Sequence, residues 1–128
     1  MAPWWRITLL GCGAVLLFDA VASLASRATG IAYGWASVGS FALYFWVGFA
    51  VARATADASL SNSLLAGAAL GATDATVGLL ISWLLGPGRD AGPLTLNRWI
   101  TMVTVVVLTA LAFAAVGGLF GRSARSAV

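Results

Sequence analysis

The chain has 128 residues, 61% of them hydrophobic and only 9% charged, with seven arginine or lysine side chains, four acids and no histidine. An ordinary soluble domain is roughly a quarter charged, and a fold of this length has too little interior to hide so much apolar surface, so composition excludes a water-soluble domain. The net charge of +3 comes from arginines scattered at segment ends, not from a basic patch, which excludes nucleic acid as a partner.

Four apolar runs, residues 7–26, 31–52, 63–85 and 99–120, are each long enough to cross a hydrocarbon core. Such a core is about 30 Å thick and takes roughly 20 helical residues. Each run must satisfy its own backbone there, so each is expected to be an α-helix. The predicted fold is an all-α integral membrane protein: one domain over residues 1–128, four transmembrane helices, an up-down bundle. Membrane lipid is the first expected partner.

The first run follows Arg6 and, before it, Trp4 and Trp5, which like Trp99 at the start of the fourth run suit headgroup depth. It carries Asp19 where a secretory signal needs an uninterrupted apolar core, so a mature helix is expected. Ser23 follows Asp19 by one turn and Arg27 by two, along the same face. Cys12 is the single cysteine and excludes an intramolecular disulfide; it reads as a small buried side chain.

The second run opens on Tyr33 and Trp35, which suit headgroup depth, while Tyr44 and Trp46 lie deeper and read as packing residues. The third carries Gly67, Gly71, Asp74 and Gly78 at spacings of four, three and four, which places them on one face. Thr73 and Thr76 flank Asp74, and Trp83 closes the segment near the interface. Residues 86–93, "GPGRDAGP", form a turn-rich connection. The fourth run opens on Trp99 and offers Ala110, Ala114 and Gly118 as a small-residue row, matched in the second by Ala32, Ala36 and Ser40, then Gly48 and Ala52. Such rows let helix backbones approach closely in a bilayer.

Two longer-range patterns stand out. The chain reads as a hairpin written twice: "DAVASL" from Asp19 aligns with "DATVGL" from Asp74, and residues 47–55 with 116–124, sharing Val-Gly and a later arginine. A true duplication and mere likeness of alanine- and glycine-rich helices both fit; a duplication would set a pseudo-two-fold along the membrane normal. With four spans both termini share a side, which collects Arg6, Arg53, Arg122 and Arg125 against Arg27, Arg89 and Arg98. The positive-inside rule then places both termini in the cytoplasm, by a margin of one arginine. The expected location is a membrane, the bacterial inner membrane.

The stretch "TGIAYGWASVG", residues 29–39, resembles part of the third helix of small multidrug resistance transporters. Those proteins are four-helix chains of similar length with an essential acid in the first helix. The resemblance covers about eleven residues, falls here at the start of the second helix, and pairs Asp19 with a glutamate; Asp74 has no equivalent.

An aspartate at the membrane centre costs about 2.5–3.5 kcal/mol on insertion scales. Asp19 and Asp74 are therefore expected to face the bundle or water. One reading makes them a proton or cation relay or a substrate counter-ion. The other makes them hydrogen-bonding groups that fix helix packing or hold another subunit. No histidine, lysine or glutamate accompanies them. Without histidine, and with one cysteine, no haem, zinc or other cofactor is expected, and no base stands near the serines and threonines for nucleophilic catalysis, so an enzyme is not expected. The leading expectation is a non-enzymatic accessory or assembly subunit packing against other transmembrane subunits. The alternative is a small proton- or cation-coupled transporter, a homo-oligomer with Asp19 and Asp74 as coupling residues.

Overall fold

The computed structural model describes residues 3–55, 60–90 and 92–126. Among these there is no strand. The chain forms α1 (Trp4–Thr29), α2 (Tyr33–Ala54), α3 (Ser61–Leu85), a single helical turn α4 (Pro87–Asp90), and α5 (Leu96–Ser126). The four long helices, α1, α2, α3 and α5, are each long and apolar enough to cross a membrane. The all-helical architecture read from the apolar runs is borne out.

The helices run past the apolar stretches because their ends are set by caps, not by hydropathy. Pro3 stands before α1 in an extended conformation, and its ring fixes the entry into the first turn. Gly30 ends α1 at φ 71, a left-handed conformation that glycine adopts without a Cβ penalty, and its N–H returns to the Ser26 carbonyl. Gly86 ends α3, also at a positive φ of 122, and its N–H bonds back to the Ser82 carbonyl. Pro87 then begins α4, so the connection expected to be only turns contains one helical turn; Ala91 within it lies outside the described residues.

The packing inverts that of a water-soluble protein. Only 22–33% of each apolar stretch is buried inside the molecule. Large apolar side chains such as Leu10, Leu17, Leu108 and Phe120 point outward, whereas Thr8, Asp19, Ser23, Ser40, Ser63 and Ser82 are buried. The buried apolar cluster is small: Val15, Tyr44, Val47, Val51, Ala66, Leu70 and Ala110.

Close backbone contact fills the centre instead. The most extensive interface joins α2 to α5, followed by α3 to α5, while α1 lies against α2 and α3. A Cβ on Gly48 would sit 2.7 Å from the Ala114 Cα, and one on Gly117 would sit 2.8 Å from the Phe45 carbonyl carbon. Gly121 meets the Phe49 backbone in the same manner. On the α3 side, Gly67 abuts Ala114 and Gly71 abuts Ala110, with the Val107 Cα 2.9 Å from where a Gly71 methyl would be. Ser63 fastens this crossing: its hydroxyl donates to the Gly48 carbonyl at 3.0 Å, and Gly118 leaves room for it. The rows containing Gly67, Gly71, Ala110, Ala114 and Gly118 are thus filled by this chain's own helices.

Candidate functional site

One stripe of α1 supplies the first half of the site. Thr8, Gly11, Val15, Asp19 and Ser23 are its buried residues, recurring at three to four residues as one helical face requires. Asp19 is 3% exposed and Ser23 is 0% exposed. The second half comes from α3, where the backbone between Asp74 and Gly78 winds as a π-turn: the Leu79 N–H reaches the Asp74 carbonyl, five residues back. Such a turn takes up an extra residue within a helix and recurs at functional sites.

This turn changes an expectation. Gly67, Gly71, Asp74 and Gly78 were expected to share one packing face. Gly67 and Gly71 do meet α5, but Gly78 faces α1, because the extra residue rotates the helix surface that follows. A methyl on Gly78 would overlap Asp19 Oδ2 and lie 2.8 Å from Asp74 Oδ1. The two carboxylates, 55 residues apart in sequence, meet over that glycine.

Two tyrosines of α2 complete the cluster. The Tyr33 hydroxyl donates to Asp19 Oδ1 at 3.3 Å, and the Tyr44 hydroxyl donates to Asp74 Oδ2. They are eleven residues apart, three turns, and so on one face of α2. Position in the sequence suggests the interface for Tyr33 and packing for Tyr44. Tyr44 does pack, at 1% exposure, but each ring also aims its hydroxyl at a carboxylate. The signal in the sequence is this spacing opposite two acids carried in apolar runs, since a buried tyrosine hydroxyl normally finds a partner.

No family model, no curated protein and no solved structure matches this chain. The site therefore has to be read from its own geometry.

A cavity of about 380 Å³ opens beside the carboxylates. Asp19, Asp74, Tyr33, Tyr44, Ser40 and Ser82 form its polar wall, and Phe41, Leu79, Met102 and Val106 contribute to its apolar one. Trp83 and Arg98 also line it. Asp19 and Asp74 thus line one cavity, and Ser23 is buried one turn from Asp19 on the same face of α1. The flanking threonines do not join them: Thr73 donates to the Ala69 carbonyl at 2.8 Å and touches Cys12, and exposed Thr76 donates to the Ala72 carbonyl at 2.6 Å. Arg27 bonds the Leu85 carbonyl at 3.2 Å and stays near the helix ends.

The tryptophans divide. Trp5, Trp35 and Trp99 are exposed near helix ends, and Trp4 packs on the buried cluster. Trp83 is partly exposed, lines the cavity, and carries the Arg89 guanidinium 4.7 Å above its ring. Among the described residues no three histidine, cysteine or acidic side chains come together as a metal centre.

Proposed function

We propose that the chain is a small integral membrane transporter, coupled to a proton or another cation through Asp19 and Asp74. The observation that carries this reading is the convergence of the two carboxylates over Gly78 at the wall of a cavity. Ionisable groups inside an apolar bundle are costly and mark ion pathways or relays. A pair meeting one another, each with a tyrosine donor, can hold a proton or cation between two helices and release it to the cavity.

Membrane insertion is supported by the four apolar helices and their outward-facing leucines, valines and phenylalanines. An up-down bundle is supported by the contacts: Gly11 meets Val47, Ser63 meets Gly48, and Gly118 meets Ser63. The duplicated hairpin is supported by one pair of contacts. Shifting Phe45 and Gly48 by the offset that aligns the two helix ends gives Ala114 and Gly117, and Gly48 packs on Ala114 as Gly117 packs on Phe45. The small-residue rows that suggested an assembly subunit are occupied within the chain, which leaves transport the better-supported reading.

The test is a proteoliposome assay. Purified protein is reconstituted around a trapped pH-sensitive dye, and an inward gradient of sodium or potassium is imposed. Cation-dependent movement of protons above that of protein-free liposomes is expected. A pH trace indistinguishable from empty liposomes would sink the proposal.

A further inference from the structure

A second hollow, of about 570 Å³, opens where α1 and α3 end, and neither Asp19 nor Asp74 lines it. Two arginines 62 residues apart in sequence share it: Arg27 from the last turn of α1 and Arg89 from α4. Gly86 brings them together. The Arg27 Cδ lies 3.7 Å from where a Gly86 Cβ would be, and the Arg89 backbone N–H donates to the Gly86 carbonyl at 3.0 Å.

Both guanidiniums are held in place with donors to spare. Arg27 spends one N–H on the Leu85 carbonyl at 3.2 Å, at the end of α3 where carbonyls lack a partner within the helix. Arg89 sits 4.7 Å above the Trp83 ring, and stacking of this kind uses the face of a guanidinium while its in-plane donors stay available. Asp90 is the third charged side chain of the hollow, and among the described residues neither arginine forms an ion pair with it or with any other acid. Two positive charges against one negative leave a net +1. Beside them Ile31 and Leu84 are exposed apolar walls. Arg53 shows the ordinary alternative: it stacks over Phe49 of its own helix, 5.9 Å from the ring, and lines neither this hollow nor the carboxylate cavity.

We propose that Arg27 and Arg89 together hold the phosphodiester of one anionic phospholipid, whose acyl chains run along Ile31 and Leu84. A phosphate offers the acceptor oxygens that two guanidinium forks can engage, and basic hollows between membrane helices take anionic headgroups. A headgroup of charge −1 balances the net +1, whereas a zwitterionic phospholipid leaves it uncompensated. Trp83 supports the depth, since tryptophan favours the boundary between headgroups and acyl chains. The inference rests on the membrane insertion proposed above and is independent of coupling through the carboxylates.

The experiment is native mass spectrometry of the full chain, purified in mild detergent, freed of lipid and titrated with phosphatidylglycerol, phosphatidylcholine or inorganic phosphate. One phosphatidylglycerol should bind per chain, about tenfold more tightly than phosphatidylcholine, and Arg27→Gln and Arg89→Gln should each weaken it about tenfold, the scale of a hydrogen bond to a charged group. Arg53→Gln should leave binding unchanged, and Asp90→Asn should preserve or tighten it. Should Arg27→Gln, which loses the Leu85 bond, fail to fold, Arg89→Gln still decides the matter. Equal binding of the two lipids, an equal loss in Arg53→Gln and Arg89→Gln, or a loss in Asp90→Asn would overturn the site. Displacement of the lipid by inorganic phosphate would overturn it too, and would make the hollow a site for free phosphate. Flotation with liposomes after an alkaline carbonate wash separates the two failures. A chain that stays with the vesicles but shows no lipid preference loses the site and keeps insertion; one that washes off loses both.

Discussion

The two ends of the helix bundle are built on opposite principles. Toward the start of α1 and the end of α5, glycine and alanine bring α2, α3 and α5 into backbone contact, at Gly48 with Ala114, Gly117 with Phe45 and Gly71 with Ala110. Toward the other end, where α1 and α3 finish, the same helices hold a cavity walled by Asp19, Asp74, Tyr33 and Tyr44. Phe41 stacks on Phe113 at 4.9 Å where one region passes into the other. The difference separates two jobs within one set of helices. A clamp made of backbone cannot yield, because no rotamer change relieves it. A chamber lined by side chains can.

That contrast can be broken most severely at the clamp. Gly117→Leu forces a side chain into the Phe45 backbone, and overpacking of this kind costs about 1–3 kcal/mol or more. Little monodisperse protein should be recovered by size-exclusion chromatography; a wild-type yield and unfolding temperature would show that the clamp is looser than described. Asp74→Leu, in the chamber, removes the Tyr44 hydrogen bond and should weaken packing by roughly 0.6–2 kcal/mol. A thermal shift in detergent would register it, and stability equal to that of Gly117→Leu would erase the distinction between the two regions.

Gly78→Ala sharpens the comparison further. The three atoms nearest its methyl all belong to carboxylate side chains, which can swing aside. The variant should fold and unfold close to wild type yet lose most cation-dependent proton movement in liposomes; full transport would show that the carboxylates need not meet. Tyr44→Phe should cost about 0.6 kcal/mol, the mean for a hydrogen bond between helices in a bilayer. The smallest effect belongs to Thr76→Val, since that hydroxyl is exposed and bonded within its own helix. Unfolding temperature and transport should both match wild type within error, and a transport defect there would return Thr76 to the site.

The clamp was more legible in the sequence than the chamber, and for a physical reason. Close helix approach demands small residues at fixed spacing, so Gly67, Gly71, Ala110, Ala114 and Gly118 announce themselves. Their use inside the chain, instead of against a partner, depends on which faces meet, and spacing does not carry that. The apolar runs located the four helices, but their ends at Thr29 and Leu85 are set by Gly30 and Gly86, which hydropathy does not weigh. The π-turn at Asp74–Gly78 left no mark in composition, yet it turns Gly78 from a packing glycine into the space between two carboxylates. Tyr33 and Tyr44 were visible as aromatic rings; their hydroxyls gain meaning only once α2 is laid against α1 and α3.

The most direct measurement compares wild type with Asp19→Asn and Asp74→Asn in the same liposome assay, each variant first shown to be folded and monodisperse. Asparagine keeps the size and an acceptor of aspartate but cannot take up and release a proton or balance a cation. Wild type should move protons against an imposed cation gradient, and both variants should fall to the level of empty liposomes. Wild-type transport in either folded variant would contradict the assignment of the pair as the coupling site.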